Sequence, residues 1–365
     1  MISWIQLSKI NKKILVSQTP ALRECINVYN KAILLGSEWF LNNQKDPFLY
    51  YEYSYLAKIH PNTSYPLREM GALWSITKIS DFLKNEKYDV LARKGFNYFE
   101  NYFTYDKNND FYYINITPNN IKLGYSAFMI ATLLEIDHPK KDEYLKKLAN
   151  GIIYQQNKNG KLRTHFYSED SATSQDYYPG EALMALMLLY KNTKDERYLG
   201  VVSKAFPFYV NYFRKNPTTA FVPWQSRAYS EFYYATQNRD AADFVFEMND
   251  YMLKLHSPKD VCKDFVFSRG ITTAVYTEGV IKAYDLAKAL KDEQRAECYR
   301  NFIKEALDHI LSLQVIENEK KEAIGGFLSS KVSQTMRVDN NQHAVMALID
   351  AYNSGIIDNS CVNLK

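Results

Sequence analysis

The chain has 365 residues and a formal net charge of +4, with 45 Lys and Arg interspersed among 41 Asp and Glu. The absence of a basic stripe argues against a nucleic-acid or acidic-membrane partner, and no run approaches the roughly 18 apolar residues of a membrane span. Four scattered cysteines (Cys25, Cys262, Cys298, Cys361) suggest neither a disulfide framework nor a CxxC metal site.

The first 13 residues place their positive charges after their apolar ones and lack an uninterrupted apolar stretch, so the expected location is cytoplasmic. The sequons at Asn62 and Asn115 then read as chance. Residues 1–19 read as an N-terminal extension. A helix is expected over 20–43, with Pro20 near its start and Leu22, Cys25, Ile26, Tyr29, Ile33, Leu34 and Trp39 at helical spacing. An extended aromatic segment follows at 48–53. Residues 68–84 form an apolar helix and 86–102 its amphipathic partner. The same order then recurs: extended at 111–115, apolar at 125–136, amphipathic at 142–156. The third unit has an extended stretch at 160–166, then Tyr178-Pro179-Gly180-Glu181, which turns the chain into a helix apolar on nearly every face, and then a charged partner over 196–214. A fourth unit has an extended segment at 221–224 and helices over 229–236 and 241–255. The fifth has an extended segment at 265–269 and helices over 272–290 and 294–313. The last has 325–328 and a final apolar helix over 341–352, with 355–365 a C-terminal tail.

Six apolar helices alternate with five amphipathic ones after residue 68, and the helix at 20–43 supplies the sixth. An open array needs polar caps at both ends, and neither end is polar, so the pattern predicts a closed ring and a single domain with its core at 20–354. This repeat of about six helical hairpins resembles the all-α (α/α)6 toroid superfamily, which includes six-hairpin glycosidases and N-acylglucosamine 2-epimerases. The resemblance implies a pocket at one mouth, where long loops lead into the inner helices, short extended segments lie in those loops, and helix N-termini offer free N–H groups.

Residues at the starts of the inner helices would share that cup. Asp176 and Glu181 bracket the Tyr-Tyr-Pro-Gly turn, and a carboxylate near an apolar wall can have its pKa raised enough to act as a general acid. Glu278 or Asp339 across the cup would activate water, the paired-carboxylate arrangement of glycoside hydrolysis. Each of these acids also suits an ordinary helix cap, and Asp339 with Gln342 three residues on has the form of a capping box. His343 would lie one turn into a buried helix, on the same face as Asp339. The epimerase resemblance implies a Pro-Gly-His turn and a second histidine near the start of the last inner helix. His343 fits the second place, but Pro179-Gly180-Glu181 carries Glu at the first, so the chemistry there would pair Glu with His, with His165 a possible substitute.

Arg163, Arg227, Arg269 and Arg337 recur at similar places in four units and would suit a carboxylate-bearing sugar such as a uronate. Tyr51, Arg68, Tyr178, Trp224 and Gln342 complete the expected substrate-binding set, mixing flat aromatic faces with polar groups. The abundance of 30 Tyr and 20 Phe against 4 Trp fits a wall part packed and part wet. His60, His138, His256 and His309 read as surface residues. No DDxxD, P-loop, GxGxxG or GxSxG occurs, and no zinc constellation is evident, so no metal or cofactor is expected. The resulting expectation is a carbohydrate-active enzyme, most simply a glycoside hydrolase. A sugar 2-epimerase or isomerase using Glu/His chemistry, and a non-catalytic toroid binding a glycan, peptide or protein, are the alternatives. Oligomeric state is not legible.

Overall fold

A computed structural model describes residues 28–254, 262, 265, 267 and 270–357. Its twelve α-helices among the described residues alternate in environment. The outer ones are α1 (Val28–Asn42), α3 (Glu86–Glu100), α5 (Lys141–Tyr154), α7 (Glu196–Lys215), α9 (Arg239–Leu253) and α11 (Glu293–Leu311). The inner ones are α2 (Pro66–Leu83), α4 (Leu123–Glu135), α6 (Tyr178–Thr193), α8 (Val222–Thr236), α10 (Thr272–Ala289) and α12 (Val338–Asn353).

Sequence explains the division. In α4 every residue from Leu123 to Leu133 is buried, which a helix apolar on all sides requires. In α7 the buried positions are Tyr198, Val201, Val202, Ala205, Tyr209 and Phe213, a single stripe at helical spacing. Each inner helix packs on the next, and α12 packs on both α2 and α1, so the ring closes. At that seam the Gln342 side chain packs against Gly71, where a Cβ would meet its Oε1 at 2.6 Å. The expected closed ring of six hairpins is the observed one.

Four of the five inner-to-outer turns share one chemistry, the α4-to-α5 turn lacking both a left-handed residue and a side-chain cap. Lys84, Lys194, Gln237 and Lys291 take left-handed φ values of 49°, 57°, 58° and 60°. Each is followed by a side-chain cap: Asn85, Asp195, Asn238 and Asp292 accept from backbone N–H groups of Lys87, Arg197, Asp240 and Arg295. Outer-to-inner connections are longer and hold all the strands found among the described residues. These are β1 (Glu52–Ser54), β2 (Phe103–Asp106), β3 (Phe111–Ile114), β4 (Ile121–Lys122), β5 (His165–Phe166) and β6 (Thr335–Arg337). β2 pairs with β3, β4 with β5, and β1 with β6, Glu52 opposite Arg337, tying the first unit to the last.

Several expectations change. The segment 221–224 is not extended; Pro223 sits in the first turn of α8, where proline's fixed φ suits a helix start. Residues 20–27, 266, 268 and 269 lie outside the described residues, as do Cys25, His256 and Cys361. Cys262 and Cys298 form a disulfide across 36 positions of chain, a pairing that spacing alone did not suggest. His60, His138 and His309 are half-buried packing residues rather than surface ones: His60 stacks on Tyr50, His138 stacks on Tyr144, and His309 lies parallel to Phe267.

Candidate active site

All the long loops end at the N-termini of the inner helices, and there they enclose a cavity of about 520 Å³. Arg68, Tyr178, Glu181, Trp224, Arg337, Asp339, Gln342 and His343 line it. Its aromatic wall includes Trp224 and Phe128, 5.4 Å apart and edge to face, with the His343 ring 6.0 Å from Trp224 and Trp74 packed 6.5 Å behind it.

Glu181 is the most perturbed acid in this cavity. It is 4% exposed, and its Oε2 has no hydrogen-bond partner among the described residues. Burial pushes its carboxyl up to about 8, with Lys122 only partly opposing. Glu181 is therefore held mainly as the neutral acid at pH 7. Its position depends on a missing side chain in the neighbouring helix, because a Cβ on Gly124 would come within 2.2 Å of Oε2.

His343 is held from behind. Its Nδ1 lies 2.7 Å from Oε1 of Glu278, whose other oxygen accepts from Arg227 Nη2. An ionised carboxylate only accepts, so in the neutral ring Nδ1 carries the proton and Nε2 the lone pair, and the ring lines the cavity. The pair has the geometry of a general base fixed in one tautomer.

Asp339 is differently placed. Arg337 grips both its oxygens, Nε to Oδ1 and Nη2 to Oδ2 at 2.9 Å each, and Arg68 Nε stands 3.4 Å from Oδ2. It is not the expected cap: α12 begins without a side-chain cap on Arg337. Arg68 in turn donates to Tyr51 Oη at 2.7 Å and lies 4.6 Å from the Tyr65 ring centroid.

The remaining expected residues are not at the surface of the cup. Asp176 turns away and accepts from Tyr212 and Thr218 on the outer side. Arg163 donates to the Tyr154 carbonyl and stacks on that ring. Tyr51 and Glu278 stand one layer behind Arg68 and His343. His165 packs edge-on against Tyr178, 5.7 Å away, bonded to Thr164; burial, then Lys122, lowers its pKa. Arg227 is buried in the barrel interior. The arginines are thus not equivalent: of the three described, Arg337 lines the cavity and Arg163 and Arg227 do not, while Arg269 lies outside the described residues.

No protein-family model matches the sequence, and no curated protein does. Solved structures are similar. D-mannose isomerase aligns at 11% identity over 89% of this chain and 97% of its own, with a TM-score of 0.66. The GH76A alpha-1,6-mannanase of Salegentibacter sp. HEL1_6 aligns at 9% identity, covering 89% and 99%, with a TM-score of 0.64. Cellobiose 2-epimerase from Bacillus thermoamylovorans B4167 aligns at 13% identity, covering 90% and 98%, with a TM-score of 0.61. The fold is the (α/α)6 toroid. Identities this low speak to the fold alone.

In this toroid the cup also includes Tyr65, Tyr177, Tyr276 and Asn340, which the sequence reading did not place there. Tyr65 had a usable signal: Tyr65-Pro66 opens α2 much as Tyr178-Pro179 opens α6. The lining Tyr276 lies a turn inside its helix and donates to or accepts from Thr219 at 2.8 Å; no local pattern marks it.

Proposed function

We propose that the protein is a carbohydrate-active enzyme that isomerises or epimerises a sugar by proton transfer, with His343 as base and Glu181 as acid. One observation carries this reading: a carboxylate-backed imidazole and a neutral, unpartnered carboxyl line the same cavity. In an open-chain sugar, His343 Nε2 would take the proton from the carbon next to the carbonyl while Glu181 gives its proton to the carbonyl oxygen. For isomerisation, the resulting enediol collapses when His343 returns its proton to the former carbonyl carbon and the neighbouring hydroxyl gives its proton to the Glu181 carboxylate. For epimerisation, the opposite face of the same carbon takes a proton from solvent, the first hydroxyl returns its proton to Glu181, and His343 releases its own to solvent. Trp224 supplies an apolar platform, and Arg68 and Arg337 suit hydroxyls or a uronate carboxylate. The Cys262–Cys298 disulfide favours an oxidising compartment over the cytoplasm.

Glycoside hydrolysis is the second reading, favoured by Glu181 and Asp339 lining one cavity, the first as acid and the second as base. The two guanidiniums on Asp339 weigh against it, because they occupy the oxygens that a base would turn toward water. Incubating the protein in deuterated water with D-mannose, D-glucose, cellobiose and alpha-1,6-mannotriose separates the readings by NMR. Deuterium at C2 or a new aldose or ketose supports proton transfer. New reducing ends without deuterium on carbon overturn it in favour of hydrolysis, and binding without turnover of any sugar supports a non-catalytic toroid.

A further inference from the structure

The ion pairs behind His343 do not end at Glu278. Arg227, on α8, is 7% exposed and offers one nitrogen, Nη2, to two carboxylates. One is Oε2 of Glu278 on α10; the other is Oδ2 of Asp350 on α12, at 2.8 Å. Lys282 Nζ stands 3.6 Å from the same Oδ2. Arg227, Lys282 and Asp350 also line a second cavity, of about 390 Å³, at the C-terminal ends of the inner helices. A line of charge therefore runs along the barrel from the cup to its opposite mouth.

Buried ion pairs of this kind contribute little net stability, since desolvation offsets their attraction. Their geometry does decide something else. A guanidinium beside a carboxylate tends to take both oxygens through two of its nitrogens, and at Glu278 that would compete with His343 for Oε1. Here Asp350 takes the other Nη2 proton and turns the guanidinium along the barrel, so that Nη2 alone meets Glu278 while Nε makes no hydrogen bond among the described residues. Burial raises the Asp350 pKa, but Lys282 and Arg227 outweigh it and keep the group below its ordinary value, so it is an anion at neutral pH. Among the described residues, the charged groups around His343 are Glu278 with Arg227 behind it, Glu181 and Arg68 from α6 and α2, and Asp339 and Arg337 at the start of its own helix.

We propose that Asp350 is a positioning residue: by holding Arg227 to a single oxygen of Glu278, it reserves the other for Nδ1 of His343 and fixes the imidazole tautomer. The catalytic meaning of that tautomer rests on the reading of His343 as the base, but the coupling itself does not.

The test is 15N NMR of histidine-labelled full-length protein, with the His343 signals assigned by their loss in His343→Gln. In the wild type the neutral ring should carry its proton on Nδ1. In Asp350→Asn, checked for folding by thermal melting, the Nδ1–H form should fall to a minority. A wild-type ring protonated on Nε2, or an unchanged tautomer in folded Asp350→Asn, overturns the proposal. Should Asp350→Asn not fold, Asp350→Glu keeps the charge and must keep the Nδ1–H form; its loss there overturns the proposal too. Turnover of D-mannose is followed alongside. A tautomer change with turnover intact supports the coupling and instead removes His343 from the reaction.

Discussion

Replacing Glu181 by Gln tests the physical basis of the site without needing a substrate. Burial moves the Glu181 pKa from 4.5 to about 8, and each pKa unit corresponds to about 1.36 kcal/mol, so ionising it in the folded protein costs about 5 kcal/mol more than in the unfolded chain. The sign follows from proton counting. Between pH 4.5 and about 8 the folded state keeps a proton that the unfolded chain releases, so stability falls as pH rises through that window and levels off above it. Below pH 4.5 both states are protonated, and the contribution is fully present. The amide of the variant has no such proton. The difference in unfolding free energy, wild type minus Glu181→Gln, should therefore decline by about 5 kcal/mol between about pH 4.5 and pH 9, with the variant the more stable at the alkaline end relative to its acid behaviour. Urea unfolding at a series of pH values measures it. A difference that changes by less than about 1 kcal/mol over that range would refute the claim that Glu181 is a desolvated, neutral acid. Loss of turnover in the same variant is expected, because its amide cannot donate a proton as the acid does.

Gly124→Ala places a methyl group within 2.2 Å of Glu181 Oε2, so the carboxyl must move; activity should drop at least about tenfold with a melting temperature only a few degrees lower. Glu278→Gln lets an amide donate to His343 Nδ1 and favours the wrong tautomer, with turnover falling roughly 10²–10⁴-fold while substrate KM stays near its wild-type value. Retained turnover in a folded Glu278→Gln protein would exclude His343 as the base. Ala185, 0% exposed on inner helix α6, should not tolerate Asp, since an unpaired buried charge costs several kcal/mol; a cooperative melt near the wild-type temperature would contradict the packing of α6.

How far the sequence reaches is clearest at its paired acids. Asp176 and Glu181 both sit at the start of the third inner helix, and composition gives no reason to separate them. In the folded chain one meets the Tyr212 and Thr218 hydroxyls on the outer side, and the other meets Gly124 and the cavity. Likewise Asp339 with Gln342 has the local form of a cap, but Arg68 arrives from the first inner helix and Arg337 closes on it. The lysine- and glutamine-led turns at Lys84-Asn85, Lys194-Asp195, Gln237-Asn238 and Lys291-Asp292, by contrast, are written locally, because a left-handed residue and an Asx cap act within a few positions.

The sequence by itself determined the number, order and burial of the helices, since apolar periodicity and helix-start residues act within a turn or two of chain. Ring closure was also legible, because neither end carried a polar cap. Only the tertiary structure decided which acid is left neutral, which is clamped, and which histidine nitrogen Glu278 holds. Those states depend on solvent exclusion and on charges brought together from α2, α8, α10 and α12, and no local pattern records which distant guanidinium a carboxylate will meet.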